Sequence, residues 1–454
     1  MKVTPLELGT KDISKLLAQY AVPAIIAMTA SSLYNITDSI FIGHGVGPLA
    51  LSGLAITFPL MNLAAAFGSL VGVGASTLLS VRLGQKDYKT ANSILGNVFI
   101  MNLIIGISFT LISLTFLTPI LYFFGASEKT LPYAHDFMVI ILLGNVVTHT
   151  YLGLNSMLRS AGSPKKSMYA TIFTVLINLV LNPLFIFGFN WGIQGSALAT
   201  ILSQIIVLLW QIYLFSNKNN FIHLQKGIFK LKRRIVRDSL AIGMSPFLMN
   251  AAACIIVILI NQGLLKHGGD LAVGAYGIVN RVAFLFVMIV LGVNQGMQPI
   301  AGYNYGAGLY NRVTEVLKKT IFWATVIMIV GFIIIESVPH AVVSVFTTDK
   351  ELTDMASVGL RIVFVFYPIV GFQMVVTTFF QSIGMAGKAI LLSLTRQVIF
   401  LIPCLLILPR FFGINGIWMS MPIADLVATL MAGIMIYMQF KKFKQQPIPQ
   451  TKNL

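Results

Sequence analysis

Asp38, Glu336 and Asp425 lie inside or at the far end of apolar runs that leave little room for charge. An acid at the centre of a bilayer costs roughly 2.5–3.5 kcal/mol on insertion scales, so one found there is read first as a working group. Glu336 stands next to Ser337 and Pro339, at a run's end where it can reach water. Asp38 follows Tyr34 by four residues, which puts both on one helical face. A carboxylate kept from water there can exchange a proton, or bind Na⁺ with help from oxygen ligands. The competing reading is an Asp that touches water near a helix end, because His44 follows closely. Candidate helpers are Asn178 and Asn182, four apart and followed by Pro183, which frees backbone carbonyls, with Asn155 and Thr200 in neighbouring runs. Each alone is commonly a helix–helix hydrogen bond, whereas the set offers the oxygens a hard cation needs. Arg396 and Asp425 read as a charge pair, either structural or a second proton-sensitive site. Arg281 and Arg361 have no evident partner, and His149 reads as a core residue.

The elements that must hold these residues are transmembrane helices. The chain has 454 residues, 57% hydrophobic and only 10% charged, against about 25% charged in soluble domains. A crossing needs about 20 apolar residues, and backbone groups in lipid must be satisfied within the helix. Twelve stretches qualify: Leu16–Ile42, Gly53–Leu79, Ile94–Leu117, Asp136–Leu158, Ser167–Gly188, Gly195–Phe215, Ser239–Leu265, Leu271–Met297, Val316–Val338, Ser357–Phe380, Ala389–Leu408 and Gly416–Phe440, hereafter spans 1 to 12. The expected fold class is thus an all-α integral membrane protein. With both termini inside, the inner segments hold 24 of the 31 Lys and Arg and the outer loops hold four: Lys129, Lys266, Lys350 and Arg410. That bias places both termini in the cytoplasm of a cell inner (plasma) membrane. It also accounts for the net charge of +17 without a nucleic-acid partner. The basic stretch Lys226–Arg237 reads as a linker near anionic headgroups, which makes membrane lipids partners. The N-terminus shows no cleaved signal peptide pattern. Cys254 and Cys404 sit in apolar runs with no metal-binding spacing and read as small core residues.

The two halves repeat at an offset near 222. Arg159-Ser160-Ala161-Gly162 after span 4 matches Gln381-Ser382-Ile383-Gly384 after span 10, and Leu83-Gly84 matches Tyr305-Gly306. Pro23 matches Pro246, and Gly192 and Gly195 match Gly413 and Gly416. Six spans per half is an even number, so both halves enter the membrane alike and are expected to be related by a pseudo-two-fold axis along its normal. The expected domains are an N-terminal six-helix lobe (1–217), a cytoplasmic basic linker (218–237), a C-terminal lobe (238–440) and a basic tail (441–454). Asp38 falls opposite Asn261 in this register, so the acid belongs to the first lobe alone.

No GxxxxGK[ST], HExxH or GxSxG motif is present, so neither an ATP motor nor an enzyme is indicated. Gly68, Gly72 and Gly74 lie inside span 2 and read as a helix-packing face. Three segments carry a family likeness: Asn35-Ile36-Thr37-Asp38-Ser39-Ile40-Phe41-Ile42-Gly43, Arg159-Ser160-Ala161-Gly162-Ser163-Pro164, and the run from Gln295 to Ala307. With them the chain resembles the multidrug and toxic compound extrusion (MATE) family over essentially its whole length, and within it the MepA-like proteins of the DinF branch.

That resemblance implies a secondary antiporter that exports lipophilic organic cations in exchange for H⁺ or Na⁺, by alternating access between two lobes. It implies a first-lobe polar network of Asp38, Tyr34, Asn155, Asn178, Asn182 and Thr200, and a helix bend at Pro23. Many relatives have Asp before the span-5 proline where this chain has Asn182, so one carboxylate is missing. The acids of the NorM branch in spans 7 and 10 are absent, with Asn261 and Gln373 in those regions. Met28, Phe58, Met61 and Met249 are candidate contacts for substrate in a cleft. A monomer with no cofactor is expected, and no metal beyond Na⁺ at Asp38. Two other classes stay open: a flippase of lipid-linked oligosaccharides, which a cleft rich in Arg would favour, and a receptor or scaffold without solute flux.

Overall fold

The computed structural model describes residues 6–445, and every regular element among them is a helix. Spans 1 to 3 are the helices Ile13–Gly45, Pro48–Gly84 and Tyr88–Thr115. Span 4 is a pair, Leu131–Leu143 and Asn145–Ser160, bent by 55°. Spans 5 and 6 are Pro164–Gly188 and Gly192–Ser216. Span 9 is Tyr310–Ser337, span 10 the pair Lys350–Phe364 and Tyr367–Ser382 bent by 54°, span 11 Ala386–Ile407 and span 12 Pro409–Gln445.

Spans 7 and 8 share one helical run, Arg233–Gly306. A straight helix of 74 residues would be about 110 Å long, far beyond a hydrocarbon core of about 30 Å. The run breaks at Gly269, whose φ is +67°. Glycine takes this left-handed geometry without the Cβ penalty. Counting the run as two crossings completes twelve, in the two-lobe arrangement that the even repeat requires.

The repeat is also written in the backbone. Left-handed φ occurs at Gly47 and Gly269, at Lys86 and Gly308, at Gly162 and Gly384, and at Gly192 and Gly413. Each pair stands 221 or 222 residues apart in the chain. The turns between spans are therefore duplicated, not only the apolar runs.

The chain folds into two compact units whose boundaries differ from the expected domains. One is Ile26–Phe247 with the short helix Glu7–Thr10. The other begins with Lys11–Ile25 and resumes at Leu248. Span 1 thus changes unit two residues after Pro23, and span 7 one residue after Pro246. The expected linker, 218–237, belongs to the first unit and is not a separate segment.

That linker is held in place. Asn92 on span 3 accepts from the His223 N–H at 2.9 Å and donates to the Phe221 carbonyl at 3.2 Å. Asn97, further along the helix, accepts from the Lys232 N–H at 2.9 Å and donates to the Lys230 carbonyl at 3.1 Å. Each amide satisfies a donor and an acceptor of extended chain, as a neighbouring strand would. Gly96 lies between them, and a Cβ there would come 2.3 Å from the Ile228 oxygen.

Span 2 packs through its glycines, as expected. A Cβ on Gly72 would meet the Gly153 Cα of span 4 at 3.2 Å, and one on Gly74 would stand 2.0 Å from the Ser239 oxygen. Small residues let helix backbones approach closely where lipid supplies no hydrophobic drive. Cys254 and Cys404 form no disulfide among the described residues and are half-buried, so neither lies in the sealed core that their apolar neighbours suggest. Of the basic tail, 441–445 continues span 12, and the rest, with Lys452, lies outside the described residues.

Candidate functional site

Asp38 is buried, with 8% of its surface exposed. It sits on span 1, facing spans 5 and 6. The Asn182 amide donates to its Oδ1, and Ser196 Oγ donates to the same oxygen at 2.7 Å. Among the described residues no cation pairs with Asp38, and Oδ2 takes no protein hydrogen bond. A buried carboxylate held only by neutral donors is incompletely compensated, so it has a strong incentive to take up a proton or a cation.

The rest of the network lies one turn away. Tyr34 OH and Thr200 Oγ1 are 2.8 Å apart, and the Asn178 amide donates to both, at 3.5 and 3.2 Å. Asn182 also donates to Asn178 Oδ1 at 3.5 Å, which links the two clusters. The Asn182 Oδ1 is sealed from solvent and has no hydrogen-bond partner among the described residues. It is an orphaned acceptor beside a carboxylate, and this donor set, all oxygen, suits a hard cation. Beyond Asn182, span 5 passes through Pro183 into the wider π-helical turn Leu184–Gly188. Proline removes a backbone donor there, and such turns are frequent at functional sites.

Four of the five residues expected around the carboxylate meet there. Asn155 does not. Its amide donates to Thr171 Oγ1 at 3.0 Å, further down span 5, and its own Oδ1 is an orphan. Thr171 precedes Asn182 by 11 residues, about three helical turns, and that distance along span 5 carries Asn155 out of reach. Ser196 was not anticipated. The usable signal is its spacing of four from Thr200, which puts both hydroxyls on one face of span 6.

In the second half, Arg396 Nε and Asp425 Oδ1 are 2.5 Å apart, with side chains 32% and 8% exposed. Arg396 lies in the π-helical turn Thr395–Leu401, and the Tyr367 hydroxyl nearby donates to the Ala283 carbonyl at 2.7 Å. Arg361 does have a neighbour of opposite charge: its Nε lies 4.0 Å from a Glu336 oxygen, with the two side chains 54% and 33% exposed. Arg281 is exposed. His149 is fully buried with Nε2 2.9 Å from the Ala64 carbonyl. The candidate substrate contacts divide between the two units. Phe58 is 45% exposed, Met61 packs against the first unit's core, Met28 is half-buried in that unit, and Met249 is half-buried in the other. Among the described residues no group of three or more His, Cys, Asp or Glu could hold a metal.

The MatE family model matches twice, over residues 23–184 and 242–406, once in each half. The chain is a member of the MATE transporter family. The multidrug export protein MepA of Staphylococcus aureus (strain MSSA476) is 27% identical over 426 residues, covering 94% of each chain. The solved structure of the MATE multidrug transporter DinF-BH superposes with a TM-score of 0.89 at 34% identity, covering 96% of this chain and 98% of that one. An outward-facing MATE transporter structure gives 0.91 at 24% identity over 98% and 99%, a likeness of fold. As a MATE protein the chain is a multi-pass membrane transporter of the multidrug efflux class.

Proposed function

We propose that this MATE protein exports lipophilic organic cations across the plasma membrane in exchange for H⁺ or Na⁺, and that Asp38 is the coupling group. The observation that carries the reading is the carboxylate itself: buried, without a cationic partner, and held through one oxygen by Asn182 and Ser196. An incoming proton or Na⁺ relieves the uncompensated charge. A bound organic cation benefits from the same charge before it is neutralised. Coupling needs only that ion and substrate favour different states or exclude each other. Asn182 cannot take a proton, so H⁺ coupling falls to Asp38, while Na⁺ could use the orphaned Asn182 oxygen. The names of the MepA and DinF-BH relatives, a multidrug export protein and a multidrug transporter, support an efflux role.

The test is uptake of an ethidium-like cation into inverted vesicles or proteoliposomes, with pH and Na⁺ gradients imposed separately. Asp38→Asn is expected to abolish gradient-driven uptake while the protein still inserts and melts normally. Normal coupled uptake by this variant would reject the assignment.

A further inference from the structure

Span 5 carries a polar stripe along nearly its whole length. Ser167, Thr171, Thr174, Asn178 and Asn182 follow one another at spacings of four, three, four and four, which keeps them on one helical face. At about 1.5 Å per residue the stripe is about 22 Å long, most of the thickness of the hydrocarbon core. It is lined from neighbouring spans by Tyr34, Thr200, Asn155 and Tyr151. Asp38 stands at one end of it.

Arg159 stands at the other. It lies in the last turn of span 4, half-buried, and donates from Nη1 to Ser167 Oγ and from Nη2 to Ser156 Oγ, both at 3.2 Å. Among the described residues no carboxylate lies within ion-pair distance of it. A guanidinium stays charged at neutral pH, and here it meets only hydroxyls. Asp38 and Arg159, neither with an ion-pair partner among the described residues, therefore stand at opposite ends of one helical stripe of hydroxyls and amides. Such a row can relay a proton or solvate a small cation, which is a hazard to a coupled transporter. A cation reaching Asp38 from one side must not continue to the other. A fixed positive charge at a constriction is a known way to exclude cations and protons from a polar path.

We propose that Arg159 is a charge barrier at the cytoplasmic end of the span-5 stripe, which keeps the ion taken up at Asp38 from leaking through the first helical bundle. The proposal rests on Asp38 as the coupling site, yet its test needs no substrate. The charge matters here, not the packing: a lysine in the same place should serve, and a neutral glutamine of similar reach should not.

Purified protein is reconstituted without substrate, a pH or Na⁺ gradient is imposed, and ion entry is followed with an entrapped indicator. The wild type and Arg159→Lys are expected to be equally tight. Arg159→Gln should leak several-fold faster. Ser167→Asp, which pairs the guanidinium and cancels its charge, should leak likewise, and it carries the test alone should R159Q not be recovered as folded protein. Adding Asp38→Asn to the leaking variant should restore tightness, because the route runs past that carboxylate. The proposal is overturned if a folded R159Q or S167D is as tight as the wild type, if R159K leaks like R159Q, or if D38N leaves the leak unchanged. Failure of the coupling assignment reads out separately, as gradient-driven uptake by Asp38→Asn alone.

Discussion

Asp38 and Asp425 are both buried acids, and their neighbours give them different work. Asp38 has only neutral donors, Asn182 and Ser196, whereas Asp425 has the Arg396 guanidinium at 2.5 Å. Removing one member of a buried ion pair strands the other, which typically costs about 3–5 kcal/mol, while replacing both by apolar residues is often neutral. Asp425→Asn is therefore expected to lower the melting temperature in detergent markedly, and the double variant Arg396→Leu/Asp425→Leu to lower it less. A double variant at least as unstable as the single one would assign the pair a role beyond structure. At this scale the acids and asparagines were legible because they stand out against apolar runs. Ser196 was not, because a serine in a membrane helix is common and bonds its own backbone as often as a neighbour.

Helices explain which polar residues can meet. Span 5 presents its stripe because five polar side chains share a face, and Pro183 with its π-helical turn ends the regular ladder where Asn182 meets the carboxylate. Asn155 shows the limit of the argument: it lies on a facing helix, but too far along to reach Asp38. The inter-half segment teaches the same lesson. Its charge suggested a linker near headgroups and said nothing of its packing, which Asn92 and Asn97 supply by clamping its backbone to span 3. Asn97→Ala leaves the Lys230 carbonyl and the Lys232 N–H without these partners. It is expected to speed tryptic cleavage at Lys226, Lys230 and Arg233 several-fold over wild type, yielding two fragments of about half length on a gel. Equal cleavage rates would show that the amide adds nothing to the clamp.

The whole molecule is a duplication, and its turns record it. Four pairs of left-handed residues one repeat apart show that corresponding connections are built alike in both halves. Asp38 opposite Asn261 and Arg396 opposite Thr174 show that chemistry has since been divided between the halves. The Lys and Arg bias predicts one orientation for the assembly. In a background where Cys254 and Cys404 are replaced, a cysteine at Lys129 or Lys350 should react with an impermeant thiol reagent from outside intact cells. One at Lys226 should react only after the membrane is opened. The opposite pattern would invert the topology, and with it the direction assigned to the Arg159 barrier.

Sequence alone determined the solvent, the number of crossings, the tandem repeat and the acid within span 1. These are one-dimensional properties: apolar length, loop charge and a constant offset need no knowledge of which helices touch. Tertiary structure alone decided that Ser196 joins Asp38, that Asn155 does not, that Arg361 meets Glu336 and that the linker is clamped. Those contacts join different helices, with Ser196 158 positions from Asp38. They depend on how each helix is rotated and how far along its neighbour it stands. Hydropathy leaves rotation and height undetermined, and packing sets them.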